Sequence, residues 1–342
     1  MSQKTTRRTF LKQMGVAAGV APYILSSKVW GQNVNDKLRI AFVATGGIAG
    51  AHINEMVRLG VDCPCYCDVD SDRLGAAKEH WPGAKAYADY RIMLEKHADE
   101  IDGVMIGTPD HHHYPATMVA MQLGLNCYTQ KPLTHTPWES RRLVKMAQKN
   151  PKIVTQMGNQ GHASDAWRQL YNFIRAGGIG TVLEVHTWTD RATGWWPQAM
   201  NRPEGRAPVP ARNRRRTQPG DHLNWDLWLG PAPRRPFKAG AYHPFVWRGW
   251  KDFGTGALGD MGCHMMDGTV WTMDPDFPTL IEPIMVKDMT AEAFPAQAIV
   301  RWTFPKKHGM PSFQQYWYES GLKPPKPEQV EGEWNLPSNG SV

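Results

Sequence analysis

The chain has 342 residues, 41% hydrophobic and 21% charged, which is apolar material enough for two ordinary domains and too much for a disordered chain. Its formal charge of +7 invites a polyanionic partner, but residues 1–31 hold Lys4, Arg7, Arg8, Lys12 and Lys28 and no acid. Without them the surplus falls to about +2, so charge gives no support to nucleic-acid binding, and no stretch reaches membrane-spanning length.

The N-terminus reads Thr5-Thr6-Arg7-Arg8-Thr9-Phe10-Leu11-Lys12, then a modest apolar segment from Met14 to Leu25. A paired arginine ahead of a short glycine- and alanine-rich run has the form of a twin-arginine (Tat) export signal, and Val29 and Gly31 place cleavage after Gly31. A frayed basic terminus is the alternative. Residues 1–31 are set apart as a signal, and the mature chain is expected in the periplasm or another extracytoplasmic compartment, exported already folded.

Leu38 to Ala44 is an apolar, β-prone run, followed by the small-residue turn Thr45-Gly46-Gly47-Ile48-Ala49-Gly50. A helix is predicted over His52–Leu59, then a strand over Val61–Cys67 that ends in Asp68. Strand, glycine turn, helix, strand and acid form the dinucleotide-binding fingerprint in its required context. Glycines let backbone approach a pyrophosphate, and a helix N-terminus offers free N–H donors. Against G-x-G-x-x-G the chain reads Ala44-Thr45-Gly46-Gly47-Ile48-Ala49, so only the central glycine stands where expected. An α/β turn that binds nothing is the competing reading. Asp68 can accept hydrogen bonds from ribose hydroxyls and would repel a 2′-phosphate, which favours NAD over NADP.

The βα pattern continues with helices over Ser71–His80, Tyr90–His97, Tyr114–Leu123 and Trp138–Gln148. Strands are predicted over Ala84–Tyr87, Gly103–Gly107, Asn126–Thr129 and Lys152–Gln156. Residues 36–156 therefore read as a doubly wound parallel sheet, with ligands at the carboxyl ends of its strands. Five cysteines are present; Cys63, Cys65 and Cys67 alternate on one predicted strand and should share a face without bridging. All five read as mostly free thiols.

From Asn159 the texture changes. A helix is predicted over Asp165–Ala176 and a strand over Val182–Thr189. Pro197 to Asp221 reads as a long surface loop with a basic cluster at Arg212, Arg214, Arg215 and Arg216. One long helix is predicted over Thr255–Met273, then strands over Thr279–Met289, Ala296–Phe304 and Ser312–Glu319. Residues 157–342 thus read as an α+β domain with an open, mostly antiparallel sheet. The tail from Gly321 is Pro-, Lys- and Glu-rich and is expected to add no closing element.

Two constellations carry chemistry. Gln130-Lys131-Pro132 ends a strand, where a lysine can hydrogen-bond a substrate hydroxyl and favour its alkoxide; an ordinary surface lysine is the alternative. Asp260, His264 and Asp267 recur on one helical face, and a carboxylate that orients an imidazole suits a general base acting on an alcohol. Metal ligation and a structural histidine compete, but no H-x-x-x-H spacing is present and no metal site is expected.

These pieces resemble the Gfo/Idh/MocA family, the oxidoreductases related to glucose–fructose oxidoreductase and inositol dehydrogenase. The resemblance runs from about Leu38 to Phe304 and is carried by AFVATGGIAGAH, CDVDSDRL, GTPDHHHY, QKP and GDMGCHMMD. It implies a Rossmann domain and an open-sheet domain covering the nicotinamide. By it, Lys131 corresponds to the lysine of the family's Glu-Lys-Pro, and Asp260 and His264 to its Asp-x-x-x-His pair. Gly46, Gly47, Ile48, Ala49, Asp68, Thr108, Pro109, His113, Gln130 and Lys131 would hold NAD. Gln130 departs from the family's glutamate, and the sheet is expected to lack its terminal strands.

Fifteen tryptophans suit the C–H faces of sugar rings, though most should be core. Trp188 and Trp196, with Asn159, His162, Asp260 and His264, are expected to meet a carbohydrate or polyol. The leading function is an NAD-dependent sugar, glycoside or polyol oxidoreductase with a tightly held cofactor recycled in place. A redox-neutral glycosidase or lyase, and an idle sugar- or nucleotide-binding protein, are the alternatives. A homo-oligomer through the C-terminal sheet is the one protein partner expected.

Overall fold

The computed structural model describes residues 37–200, 222–307 and 309–342; the twin-arginine stretch and the basic cluster at Arg212 to Arg216 lie outside the described residues. The first sheet is built from β1 (Ile40–Val43), β2 (Cys65–Cys67), β3 (Lys85–Tyr87), β4 (Gly103–Ile106), β5 (Asn126–Gln130) and β6 (Thr155–Gly158). All its pairings are parallel, in the order β3-β2-β1-β4-β5-β6. The helices between them are α1 (Ile48–Arg58), α2 (Leu74–His80), α3 (Tyr90–His97), α4 (His113–Gln122) and α5 (Pro137–Lys149). Strand order reverses around β1, so a crevice opens there at the carboxyl edge, as doubly wound sheets require.

The period-two alternation decides the layers. Ala41, Val43, Val104, Ile106 and Cys127 bury one face against α3, α4 and α5, while Phe42, Tyr66 and Met105 bury the other against Ile53 and Trp81. The shared cysteine face needs correcting. Pro64 cannot extend the ladder, so the strand begins at Cys65, and Cys63 turns to the opposite core from Cys65 and Cys67. All five cysteines are free. The start of α1 also differs from expectation: it begins at Ile48, directly after Gly47, because the small residues Ala49 and Gly50 already belong to the helix. Thr136 caps α5 through a reciprocal bond with Glu139, with Pro137 in the first turn.

Next come α6 (Asp165–Arg175), β7 (Glu184–Trp188), α7 (Trp225–Leu229), α8 (Gly256–Met265), α9 (Asp267–Met273), β8 (Leu280–Lys287), β9 (Gln297–Phe304), β10 (Phe313–Tyr318) and β11 (Gly340–Ser341). The predicted Thr255–Met273 helix is two helices, interrupted at Met266; Gly268 lets α9 close onto the ring of Trp167, where a Cβ has no room. The second sheet runs β11-β7-β10-β9-β8, antiparallel except for β7 with β10. The tail therefore does close an edge, contrary to expectation. β11 pairs with β7 through backbone groups, and Trp188 Nε1 donates to the Pro337 carbonyl at 2.9 Å. Such pairing leaves no hydrophobic period in sequence, which is why it was invisible there.

Trp228, Tyr242, Trp247, Trp250 and Phe253, from the segment between β7 and α8, pack as one aromatic core. Among the described residues, no helix is long and apolar enough to cross a membrane.

Candidate active site

The carboxyl edge of the first sheet faces a cavity of about 1010 Å³. Its floor is the turn after β1. Ala44, in the position of the expected first glycine, holds φ at +78°, and Gly47 holds φ at +58° with open space where a Cβ would point. Gly107, ending the strand beside it, lies so close to α1 that a Cβ would come 2.8 Å from Cβ of Ala49. Gly46, Gly47 and Ile48 line the cavity, whereas Ala49 is buried beneath it, in that helix–strand contact.

Asp68 faces the same turn. One of its oxygens accepts from the Thr45 backbone N–H at 2.9 Å and from Thr45 Oγ1 at 3.3 Å, and the other accepts from the Asp70 N–H at 3.0 Å. Burial raises its pKa in spite of these bonds. Arg73 covers Gly46 and donates through Nε to Asp70, which His243 also meets. Burial alone would raise the Asp70 pKa; the bonds and charges of His243 and Arg73 outweigh it and hold the pKa at about 2.

Thr108, Pro109, His113, Gln130 and Lys131 line the wall formed by the ends of β4 and β5. Thr108 Oγ1 is buried with no hydrogen-bond partner among the described residues, as a group awaiting a ligand would be. Gln130 is buried; its amide nitrogen meets His52 Nε2, and its oxygen faces the Lys131 N–H.

Lys131 bridges to α8. Its Nζ donates to the Asp260 carbonyl at 2.8 Å and to the Asp260 carboxylate at 2.9 Å. Arg248 Nε reaches the same carboxylate at 3.3 Å and Arg191 lies 3.8 Å away. Burial would raise the Asp260 pKa, but these cations, Lys131 first, outweigh it and lower it. Asp260 is thus paired with lysine and does not orient His264, as the helical spacing had suggested. That role belongs to Asn159, whose Oδ1 lies 3.0 Å from His264 Nδ1. Asn159 Nδ2 donates to the Cys263 carbonyl at 2.7 Å, which fixes the amide so that Oδ1 can only accept from the imidazole. The proton therefore sits on Nδ1, and Nε2 keeps a lone pair. Burial, then the Lys131 charge, lowers the His264 pKa against the opposing pull of Asp260 and Asp267.

The other expected substrate contacts lie elsewhere. His162 is exposed, paired with Asp267 at 2.9 Å and stacked on Trp271, outside the cavity. Trp188 and Trp196 are buried outside the cavity lining, one under the tail and the other against Ala192 and Ala257. Trp195 and Trp247 line the cavity instead.

Residues 38–157 match the oxidoreductase family with an NAD-binding Rossmann fold, and residues 209–304 match the same family's C-terminal alpha/beta domain. The chain belongs to the Gfo/Idh/MocA family. Among curated relatives of this family member, the inositol 2-dehydrogenase of Corynebacterium glutamicum (strain R) is 30% identical over 152 residues, 44% of each chain. A glycosyl hydrolase family 109 protein of Shewanella sp. (strain W3-18-1) is 29% identical over 182 residues, 47% of this chain and 39% of the relative. The chain thus spans under half the length of these curated relatives. Among solved structures, myo-inositol dehydrogenase from Lactobacillus casei, in complex with NAD(H) and myo-inositol, superposes with a TM-score of 0.55 at 17% identity, covering 83% of this chain and 68% of that one. At that identity the likeness shows the fold.

The open backbone at Gly47 and the orphaned hydroxyl of Thr108 fit NAD, the cofactor of this Gfo/Idh/MocA Rossmann domain. The sequence reading missed Arg191 and Arg248 in the family member's site. Arg191 stacks on Trp195, and Arg248 lies 4.2 Å from the ring centres of both Phe245 and Trp247. Neither arginine sits in a motif or a period; the only signal was its adjacency to tryptophan-rich segments.

Proposed function

We propose that the protein is an NAD-dependent oxidoreductase acting on a hydroxyl of a sugar, glycoside or polyol. The observation that carries this is His264, whose Nδ1 is held by Asn159 so that Nε2 is left as a base beside the Lys131–Asp260 pair. Bound NAD supplies the acceptor for the carbinol hydride. His264 Nε2 takes the hydroxyl proton, and the Lys131 ammonium, held by Asp260, hydrogen-bonds the oxygen as it becomes an alkoxide. Gly46, Gly47, Ile48, Asp68, Thr108, Pro109 and Gln130 are the residues proposed to hold the cofactor. Trp195 and Trp247 offer flat apolar walls suited to the C–H faces of a ring.

The paired Arg7–Arg8 supports export by the twin-arginine route into a compartment with essentially no free NAD. The cofactor would then be loaded before export, retained through turnover, and reset by a second sugar or ketone. The inositol 2-dehydrogenase relatives favour net oxidation of a polyol. The glycosyl hydrolase family 109 relatives favour a second reading, in which a transient ketone permits elimination of a glycosidic group and the cofactor is restored at the end. The lysine, aspartate and histidine together argue against an idle binding protein. A homo-oligomer through the second sheet is proposed on the apolar exposure of Leu280, Ile281, Ile284 and Val286 in β8.

Denaturing the purified protein should release a nicotinamide nucleotide, and adding polyols and glycosides should change its ultraviolet absorbance. His264→Ala is expected to lose roughly 10²–10⁴-fold in turnover while retaining the nucleotide. Near-wild-type turnover in that variant would remove the base assignment. Protein that emerges empty and works only with added NAD would remove the retained-cofactor mechanism.

A further inference from the structure

The segment from His222 to Phe253, which carries α7, is fastened to both sides of the crevice over β1. In the sheet β1 lies between β2 and β4, so the segments leaving β2 and β4 are the two rims of that crevice. On the β2 rim, the Ser71 N–H donates to the His222 carbonyl at 2.8 Å and the Asn224 N–H to the Val69 carbonyl at 2.9 Å. Further along the segment, His243 Nε2 lies 3.0 Å from the Asp70 carboxylate. On the β4 rim, the Trp228 carbonyl lies 3.0 Å from His111 Nε2 and 2.9 Å from His112 Nε2. The Phe253 carbonyl accepts from the His111 N–H at 3.3 Å. Gly230 makes the turn after α7 against the same rim. It holds φ at +50°, and a Cβ there would come 2.2 Å from Cε1 of the His112 ring.

We propose that residues 222–253 form a strap that closes over NAD and sets how slowly the cofactor leaves. The cavity is lined by Gly46, Asp68 and Arg73 on the side of the sheet and by Leu227, Pro231 and His243 on the side of the strap. A dinucleotide held by the first three is enclosed between the two layers. Asp70 is the fastening point. Its pKa of about 2 keeps it ionised, and the oxygen that His243 meets also accepts from Arg73 Nε at 3.1 Å. Arg73 in turn lies over Gly46. One carboxylate thus ties the strap to a residue above the glycine turn, and a bond to a charged acceptor is stronger than a neutral one. The Trp228, Tyr242, Trp250 and Phe253 rings pack the strap into one unit, so release of the cofactor requires that unit to come off a rim. The inference rests on NAD as the cofactor and on its proposed retention, and is indifferent to which hydroxyl is oxidised.

The rate at which bound cofactor exchanges tests the strap. The intact protein is loaded with radiolabelled NAD, chased with an excess of unlabelled NAD, and sampled by gel filtration. His243→Leu removes the bond to Asp70 and should speed the loss of label by roughly 10- to 100-fold. Gly230→Ala, which sets a methyl against the His112 ring, should speed it through the other rim. In the unaltered protein, backbone hydrogen exchange in residues 222–253, at the Asn224 amide above all, should be slower with NAD bound than after the nucleotide is stripped. Label lost at the wild-type rate from both folded variants overturns the strap, and so does hydrogen exchange in residues 222–253 that is indifferent to NAD. The second measurement needs no variant to fold. The proposed function can fail separately. Slow loss of label, accelerated in both variants, with no hydride transfer from any polyol or glycoside, leaves the strap standing and removes the oxidoreductase. Protein that takes up no NAD removes both.

Discussion

The base proposed at His264 needs the tautomer that leaves Nε2 unprotonated, and that choice is made by Asn159 and not by the acid four residues away on its own helix. Asn159→Leu keeps the volume and removes the acceptor. It is expected to lower kcat by between about 10-fold and 10⁴-fold, the upper end being the penalty for a wrongly oriented catalytic imidazole. Nucleotide retention should be untouched; unchanged kcat would mean the ring is held by something else. The pH dependence follows from the same side chain. Burial and Lys131 lower the His264 pKa, so the imidazole becomes neutral, and active, below its ordinary titration near 6.5. The acid limb of kcat should therefore lie below that value. Asp267 pulls in the opposite direction, so Asp267→Asn should move the limb lower still. A limb that rises in Asp267→Asn would contradict the assignment of the titrating group.

At the scale of the element, the turn between β1 and α1 shows how a weakened motif still works. Ala44 occupies a left-handed conformation that disfavours a side chain by roughly 1–2 kcal/mol. Ala44→Gly should therefore be tolerated and should stabilise the fold by up to about 1 kcal/mol after the entropy of glycine is counted, read as a rise in the denaturation midpoint. Marked destabilisation would mean that the Ala44 methyl packs more usefully than its dihedral suggests. The second sheet poses the opposite case, an element with no motif at all. Residues 337–342 hold β7 through paired bonds between His186 and Val342, the Trp188–Pro337 bond and the bond from Thr189 to Asn339. Deleting them should cost about 3–5 kcal/mol and expose Trp188, measurable as a red-shifted fluorescence and a lower midpoint. A midpoint unchanged by the deletion would show the edge strand to be dispensable.

Across the whole molecule, the cavity is a product of two layers that the sequence describes unequally. The apolar runs at Ile40–Val43, Gly103–Ile106 and Asn126–Gln130 and the glycine turn determined the first sheet, because strand period, turn chemistry and parallel crossovers are local or nearly local properties. The same locality made Lys131, Asp260 and His264 legible, since each sits in a short motif. What the sequence left open is what the long-range packing decided. Asn159 reaches His264 across 105 positions, Lys131 reaches Asp260 across 129, and His113 meets Pro132 only after the chain has returned along β5. The tryptophans divide in the same way. Composition announced an aromatic site, but only the fold buried Trp188 and Trp196 and turned Trp195 and Trp247 to the cavity. A sequence determines which side chains carry the chemistry and which face of a strand or helix they take. Which partner completes a hydrogen bond, and hence which tautomer or charge a group adopts, depends on contacts between distant segments that no local period encodes.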